Sequence, residues 1–189
     1  DGAGRRLEDD RFVLRWDWRG QLVSATVKST WPDSDGDGQA EVTPYAGHQV
    51  RYAYDAAGRL AHRLHLGALP ENSNDENARP FIDQRRYVWE GQSLLSESSY
   101  GLEGTEASLR WRKTYVPGPS GLDDAAQVVV EQGNQSRLYT YLRDELGTVQ
   151  SLVAENESTD PLHPTIAGRY AYSPYGEAHV ESAPELLRA

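Results

Sequence analysis

The chain has 189 residues, enough for one domain or for a piece of a larger one. Its 19 Lys and Arg against 29 Asp and Glu leave a formal net charge of −10, which argues against a nucleic-acid partner, because phosphate binding needs a basic surface. Cysteine is absent, which excludes disulfides and thiolate metal sites, and no apolar run reaches the roughly 20 residues that span a bilayer.

From the N-terminus, the first element is Leu14-Arg15-Trp16-Asp17-Trp18-Arg19-Gly20-Gln21-Leu22, an aromatic strand that runs into a turn. Residues 23–27 alternate: Val23, Ala25 and Val27 take one face, Ser24 and Thr26 the other. An acidic segment follows at 33–41, and then Tyr52-Ala53-Tyr54-Asp55-Ala56-Ala57-Gly58-Arg59-Leu60 repeats the first unit. Residues 67–80 (GALPENSNDENARP) have no clear period and read as a loop or an elaborated hairpin tip. A compressed third copy, Tyr87-Val88-Trp89-Glu90-Gly91-Gln92-Ser93-Leu94, precedes a polar stretch at 98–108 that also reads as a loop or an elaborated hairpin tip. Pro117-Gly118-Pro119-Ser120-Gly121 is a rigid turn before a strand at 126–132. The fourth copy is Tyr139-Thr140-Tyr141-Leu142-Arg143-Asp144-Glu145-Leu146-Gly147. After a third loop at 154–165, the fifth copy, Tyr170-Ala171-Tyr172-Ser173-Pro174-Tyr175-Gly176, keeps the aromatics and the glycine but lacks the acid. Residues 183–189 are the best short helix candidate.

Leu, Ile, Val and Phe total only 36 residues, a share close to that of disordered chains. Eleven Tyr and five Trp placed with period two point the other way, to a chain that folds. In each unit an Asp at the first turn position (Asp17, Asp55, Asp144) can accept local backbone N–H groups. A glycine three residues later (Gly20, Gly58, Gly147) can take positive φ without a Cβ clash, and Gly91 and Gly176 serve the other copies. A single hairpin is marginal in water. Stacked hairpins gain cross-strand aromatic pairs worth about 0.2–1 kcal/mol each. The expected fold is all-β, with antiparallel hairpins forming part of a curved or spiral sheet. With no Met in the sequence, residues 1–189 are expected to be one segment of a larger protein.

These residues resemble the Rhs/YD-repeat family. Tyr54-Asp55-Ala56-Ala57-Gly58-Arg59-Leu60 is close to its consensus, Y-D-x-x-G-R-L. Tyr141-Leu142-Arg143-Asp144-Glu145-Leu146-Gly147-Thr148 is similar to the segment that reads H-x-D-H-L-G-T, and residues 170–176 are similar to the Y-x-Y-x-P-x-G strand after it. The similarity covers nearly the whole chain. It implies a non-enzymatic wall segment of a β-cocoon that holds a C-terminal toxin. Such cocoons occur in effectors exported by type VI secretion, in Tc-type toxin complexes and in wall-associated proteins. The implied partners are the chain's own C-terminal toxin domain and neighbouring shell repeats, together with secretion-apparatus or chaperone proteins. The implied location is outside the producing bacterium or on its surface. Many members carry a self-cleavage motif, D-P-x-G-L. Here Asp160-Pro161 lacks the Gly-Leu and Gly121-Leu122 lacks the Asp-Pro, so the chain is expected to stop before that element, and no family catalytic residue is carried over.

The sharpest local motif is Asp33-Ser34-Asp35-Gly36-Asp37-Gly38-Gln39-Ala40-Glu41. Carboxylates at loop positions 1, 3, 5 and 9 with a glycine at position 6 can converge on Ca2+, with Asp33, Asp35, Asp37 and Glu41 as side-chain ligands and the Gln39 carbonyl as a further oxygen. Position 12 is Pro44, so this is not an EF-hand; it more closely resembles the calcium loops of FG-GAP-type hairpins. The competing reading is a solvated acidic tip. His62 and His65 are three apart, which in a strand puts them on opposite faces and gives no metal pair. No motif arranges Ser, His and Asp for nucleophilic catalysis. The second function the sequence supports is a calcium-dependent surface-adhesion or carbohydrate-binding β-domain, in which the aromatic strips would bind sugar rings rather than pack.

Overall fold

The computed structural model describes residues 2–32, 39, 41–118, 125–145, 147–155, 165–172 and 178–182. Among them the backbone forms β1 (Phe12–Trp16), β2 (Leu22–Val27), β3 (Thr30–Trp31), β4 (Glu41–Val42), β5 (Gln49–Tyr54), β6 (Leu60–Leu66), β7 (Phe81–Glu90), β8 (Ser93–Glu103), β9 (Glu106–Pro117), β10 (Ala125–Gln132), β11 (Gln135–Arg143), β12 (Val149–Ala154), β13 (Thr165–Tyr172) and β14 (Ala178–Ser182). Twelve strands make one sheet in the order β1-β2-β5-β6-β7-β8-β9-β10-β11-β12-β13-β14, and β3 and β4 pair separately. The order never closes on itself, and the strands follow one another as an antiparallel meander. The sequence-based expectation of an all-β antiparallel fold is met. The best helix candidate, 183–189, lies outside the described residues.

The chain divides into two compact units, residues 1–87 with 99–109 and residues 88–98 with 110–189. In the first, the register runs Leu14↔Ala25 and Arg15↔Ser24, then Ala25↔Val50 and Ser24↔Arg51, then Val50↔His65. Alternation therefore gives one face Leu14, Ala25, Val50 and His65, and the other Arg15, Ser24 and Arg51. Gln49 is buried and its amide is satisfied from both ends: Nε2 donates to Thr26 Oγ1 at 3.1 Å, and Oε1 accepts from Arg51 Nε at 2.6 Å. The 67–80 connection is a loop, as expected, with one 3-10 turn at Glu76–Ala78 whose Asn77 N–H is capped by Asp75 Oδ1 at 2.9 Å. Arg79 anchors this loop by donating from Nη1 to the carbonyls of Gly47, at 2.6 Å, and Gly67, at 3.2 Å. At Gly67 an added Cβ would lie 2.7 Å from Pro80 Cγ, so the chain leaves β6 where only glycine fits against that ring.

In the second unit, Val128 is paired with Tyr115 on one side and Tyr139 on the other, and Tyr139 and Tyr141 continue to Ala154 and Leu152. These residues share a face, and Val128, Val130, Tyr139, Leu152 and Ala154 form a buried cluster flanked by Tyr115, Tyr141, Ala167 and Tyr170. Tyr139 is the one aromatic fully inside this cluster, and the other tyrosines pack against it from partly buried positions.

Of the two readings of residues 98–108, the hairpin tip holds and the loop does not: β8 runs to Glu103 and β9 starts at Glu106, leaving a turn of Gly104-Thr105. The stretch conceals its strands because Glu97, Ser98 and Ser99 are all buried although polar, so no apolar–polar alternation marks them.

Candidate functional site

The recurring device is a five-residue turn, seen at 17–21, 55–59 and 144–148. The Asp side chain folds back over its own loop: Asp17 Oδ1 accepts from the N–H of Arg19 (2.9 Å) and Gln21 (2.8 Å), and Asp55 Oδ1 from Ala57 (2.9 Å) and Arg59 (3.0 Å). Asp144 Oδ1 accepts from the Thr148 N–H at 2.9 Å. In all three turns the glycine N–H returns to the Asp carbonyl, and the Asp N–H bonds the carbonyl of the residue after the glycine. Gly20, Gly58 and Gly147 stand at φ 83°, 84° and 83°, left-handed values that a Cβ opposes. The register slips by one residue just before each turn, at Arg15/Trp16, Ala53/Tyr54 and Leu142/Arg143. Arg59 adds an ion pair to its own Asp55 at 2.6 Å, and with the Arg59 hydrogen bonds as the largest cause the Asp55 carboxyl is held below the usual carboxylate value.

Gly91 belongs to a different class. With β7 ending at Glu90 and β8 starting at Ser93, it opens a two-residue turn at φ 55° with no Asp. Gly104 and Gly133 open the same kind of turn at φ 65° and 56°, as tight hairpins require of a first central residue. Gly176 lies outside the described residues.

Successive Asp turns are also tied to each other. Gln21, the last residue of the first, donates from Nε2 to the Gly58 carbonyl at 2.9 Å, and Tyr54 Oη donates to the Leu22 carbonyl at 2.9 Å.

Of the proposed calcium ligands, Asp33, Asp35 and Asp37 lie outside the described residues. Gln39 is exposed, and Glu41 is half-buried on β4 opposite Trp31. In sequence the acidic segment lies between β3 and β4, which pair with each other outside the main sheet. Among the described residues no three His, Asp or Glu side chains converge on a possible metal position, and no helix is long and apolar enough to cross a membrane.

The sequence reading missed a polar chain that runs from His48, just before β5, to β6 and β7. His48 Nδ1 lies 3.3 Å from His65 Nε2, and His65 Nδ1 lies 3.0 Å from Asp83 Oδ2, whose other oxygen receives Arg63 Nη1 at 3.3 Å. A carboxylate only accepts, so His65 carries its proton on Nδ1, and in the neutral pair His48 Nδ1–H is the donor to His65 Nε2. His62 lies away from this chain and pairs with Gln84, in keeping with the opposite-face expectation. The signal was present in part: the turn at 55–59 fixes Val50 opposite His65, but Asp83 reaches them only across the irregular 67–80 connection. In the second unit, burial pushes the Tyr141 hydroxyl up to about 12, so it is a neutral packing and hydrogen-bonding group at any ordinary pH.

The RHS Repeat family model matches residues 34–66, a stretch that contains Tyr54-Asp55-Ala56-Ala57-Gly58-Arg59-Leu60 and bears out the resemblance read from it. No curated protein matches the chain. Among solved structures, the chain is similar to the TcdB2-TccC3 crystal structure, with 15% identity, a TM-score of 0.57, and 98% of this chain covered against 8% of that one. It is also similar to TcdB2-TccC3-TEV, with 15% identity, a TM-score of 0.54, and 94% and 7% covered. The chain thus spans less than a tenth of either structure. At this identity the likeness establishes the fold: an open, antiparallel, repeat-built sheet.

Proposed function

We propose that the chain is a wall segment of an RHS-repeat shell that encloses a C-terminal toxic cargo for delivery out of the producing bacterium, and that it performs no chemistry of its own. The observation that carries this reading is the Asp turn repeated at 17–21, 55–59 and 144–148 within an open sheet, in a chain matched over 98% of its length by the TcdB2-TccC3 fold. A sheet assembled from local hairpins grows by adding hairpins and needs no catalytic centre. Neighbouring shell repeats would add at its outermost strands, β1 and β14, with the Glu8–Val13 bridge already on the outer edge of β1. Half-wet tyrosines such as Tyr141 and Tyr170 suit a wall that is apolar on the ring and polar at the tip. The other partners in this reading are the C-terminal toxin domain and the secretion-apparatus or chaperone proteins that handle the effector.

Limited proteolysis of the natural full-length protein tests the reading. A toxin domain inside the shell resists protease until the shell is opened by denaturant; a toxin domain cut at native conditions as fast as the isolated domain sinks it. Mass spectrometry of the purified chain after long incubation is expected to show the intact mass. A single defined fragment in protease-free buffer overturns the non-catalytic part alone.

The acidic loop is proposed to hold Ca2+ through Asp33, Asp35, Asp37, the Gln39 carbonyl and Glu41. Four carboxylates in nine residues repel one another unless a cation neutralises them, and the strands that flank them in sequence, β3 and β4, belong to a pair outside the main sheet. Tm is expected to rise with calcium and fall with chelator, with magnesium doing less. The double variant Asp35→Ala, Asp37→Ala removes the response. Calorimetry showing no heat at millimolar calcium leaves only a solvated tip.

A further inference from the structure

Arg15, Ser24 and Arg51 stand side by side on three adjacent strands, Arg15 opposite Ser24 and Ser24 opposite Arg51. Residues directly opposite in antiparallel strands have Cβ atoms about 5 Å apart on one face, so two guanidinium groups flank one hydroxyl. The three residues line a cavity of about 350 Å³, completed by Val23, Gln49, Tyr52 and Glu76, which falls within the usual range for small-ligand sites. Ser24 is only 6% exposed, so its side chain is held between the strands that carry the two arginines.

The two arginines differ in a way that fits a binding site. Arg51 is already oriented: its Nε donates to Gln49 Oε1, and its Nη2 to the Glu76 carbonyl at 3.0 Å and to Glu76 Oε2 at 3.1 Å. Arg15 is exposed and has no side-chain partner among the described residues. One cation is pre-set and the other is free to close on a ligand.

We infer that Arg15, Ser24 and Arg51 form a binding site for a carboxylate. The guanidinium fork of Arg15 matches the two oxygens of a carboxylate, and the Ser24 hydroxyl donates from the floor. Glu76 is shared between Arg51 and Arg79, so the three arginines against one carboxylate leave the cavity net positive, which favours an anion. The class proposed is the planar carboxylate, whose two oxygens fit the Arg15 fork.

The test is NMR titration of the whole isotopically labelled chain with sodium acetate, with a blocked peptide carrying one glutamate, with its glutamine counterpart, and with inorganic phosphate. Saturable shifts of the Ser24 amide and of the Arg15 and Arg51 Nε–H signals are expected with acetate, with the glutamate peptide, or with both. Saturation by acetate alone assigns the site to free acids, and saturation by the peptide alone assigns it to acidic side chains. Arg15→Gln lies at an exposed position, so its amide spectrum should otherwise match the parent, and it is expected to weaken binding about tenfold. Ser24→Ala is expected to weaken it several-fold. Shifts that rise linearly without saturation, equal binding by the glutamine peptide, binding unchanged in Arg15→Gln, or tighter binding of phosphate would each overturn the assignment.

Discussion

Gly20 and Gly58 have nearly the same left-handed backbone, yet their surroundings differ. An added Cβ at Gly20 would meet nothing within 4 Å, whereas at Gly58 it would lie 3.1 Å from Gln21 Nε2, the atom that bonds the Gly58 carbonyl. Gly20→Ala is expected to cost only the backbone conformational energy, about 1–2 kcal/mol. Gly58→Ala bears the same cost and also disturbs the Gln21 bond, which adds about 0.5–1.5 kcal/mol. Gly58→Val is worse again, because a β-branched residue resists that conformation. Urea denaturation of the four proteins gives the ranking directly, and equal losses for the two Ala variants would mean that the tie between successive turns has no energetic weight. In the double variant Gln21→Ala, Gly58→Ala, the excess at Gly58 should vanish, since the neighbour it crowded has gone.

At the scale of strands and their connections, acid is the informative variable. His48 is held below the ordinary imidazole value by burial first and then by the charges of His65 and Arg79; His62 is lowered by burial and by Arg86, against the opposing Gln84 hydrogen bond. A histidine whose folded pKa is depressed contributes stability that is complete above the unfolded value of about 6.5 and is lost as pH falls through the folded one. With His48 Nδ1–H donated to His65 Nε2, the proton that His48 gains in acid goes to its other nitrogen, and the new charge is disfavoured by burial and by Arg79. Tm is therefore expected to fall between pH 7 and pH 5, before the lowered carboxyls of Asp55 and Glu76 titrate in stronger acid. His48→Gln and His62→Gln should each flatten that first slope, and an unchanged slope in the double variant refutes the assignment to these two rings. This pairing was not legible in the sequence, whereas the hairpins were. The strand at 126–132 falls within a residue of its read limits, and the Asp turn at 55–59 stands where it was read, because alternation and the Asp turn are local signals. Register across 67–80 is a tertiary outcome, as is the burial of Glu97, Ser98 and Ser99 that concealed β8 and β9. The Arg15–Ser24–Arg51 row was hidden for a related reason: each residue looked like an ordinary polar face until three strands were aligned.

Across the whole molecule the two compact units are built on different cores. Among the described residues of the first, the buried apolar side chain is Leu66, and the other interior groups are polar, with Ser24, Thr43 and Gln49 each no more than 6% exposed. The second buries Val128 and Leu152 completely and packs Val130, Tyr139, Val153 and Ala154 close to them. Apolar burial contributes about 25 cal/mol per Å², whereas a satisfied polar group returns about 0.5–1.5 kcal/mol net. Local stability should therefore concentrate in the second unit. Leu152→Ala leaves a cavity in the cluster and is expected to cost about 2–5 kcal/mol, and Val128→Ala rather less because fewer atoms are removed. Native-state hydrogen exchange makes the comparison without any substitution. Amides of β10, β11 and β12 sit over the cluster and should exchange only through the largest openings, whereas those of β1 and β2 should exchange through smaller ones. Leu152→Ala should then accelerate exchange in β10–β12 and leave β1 and β2 at their parental rates. If β1 and β2 prove equally protected in the parent and respond equally to Leu152→Ala, the chain opens as one cooperative body, and the polar interior of the first unit is as strong as the apolar cluster of the second.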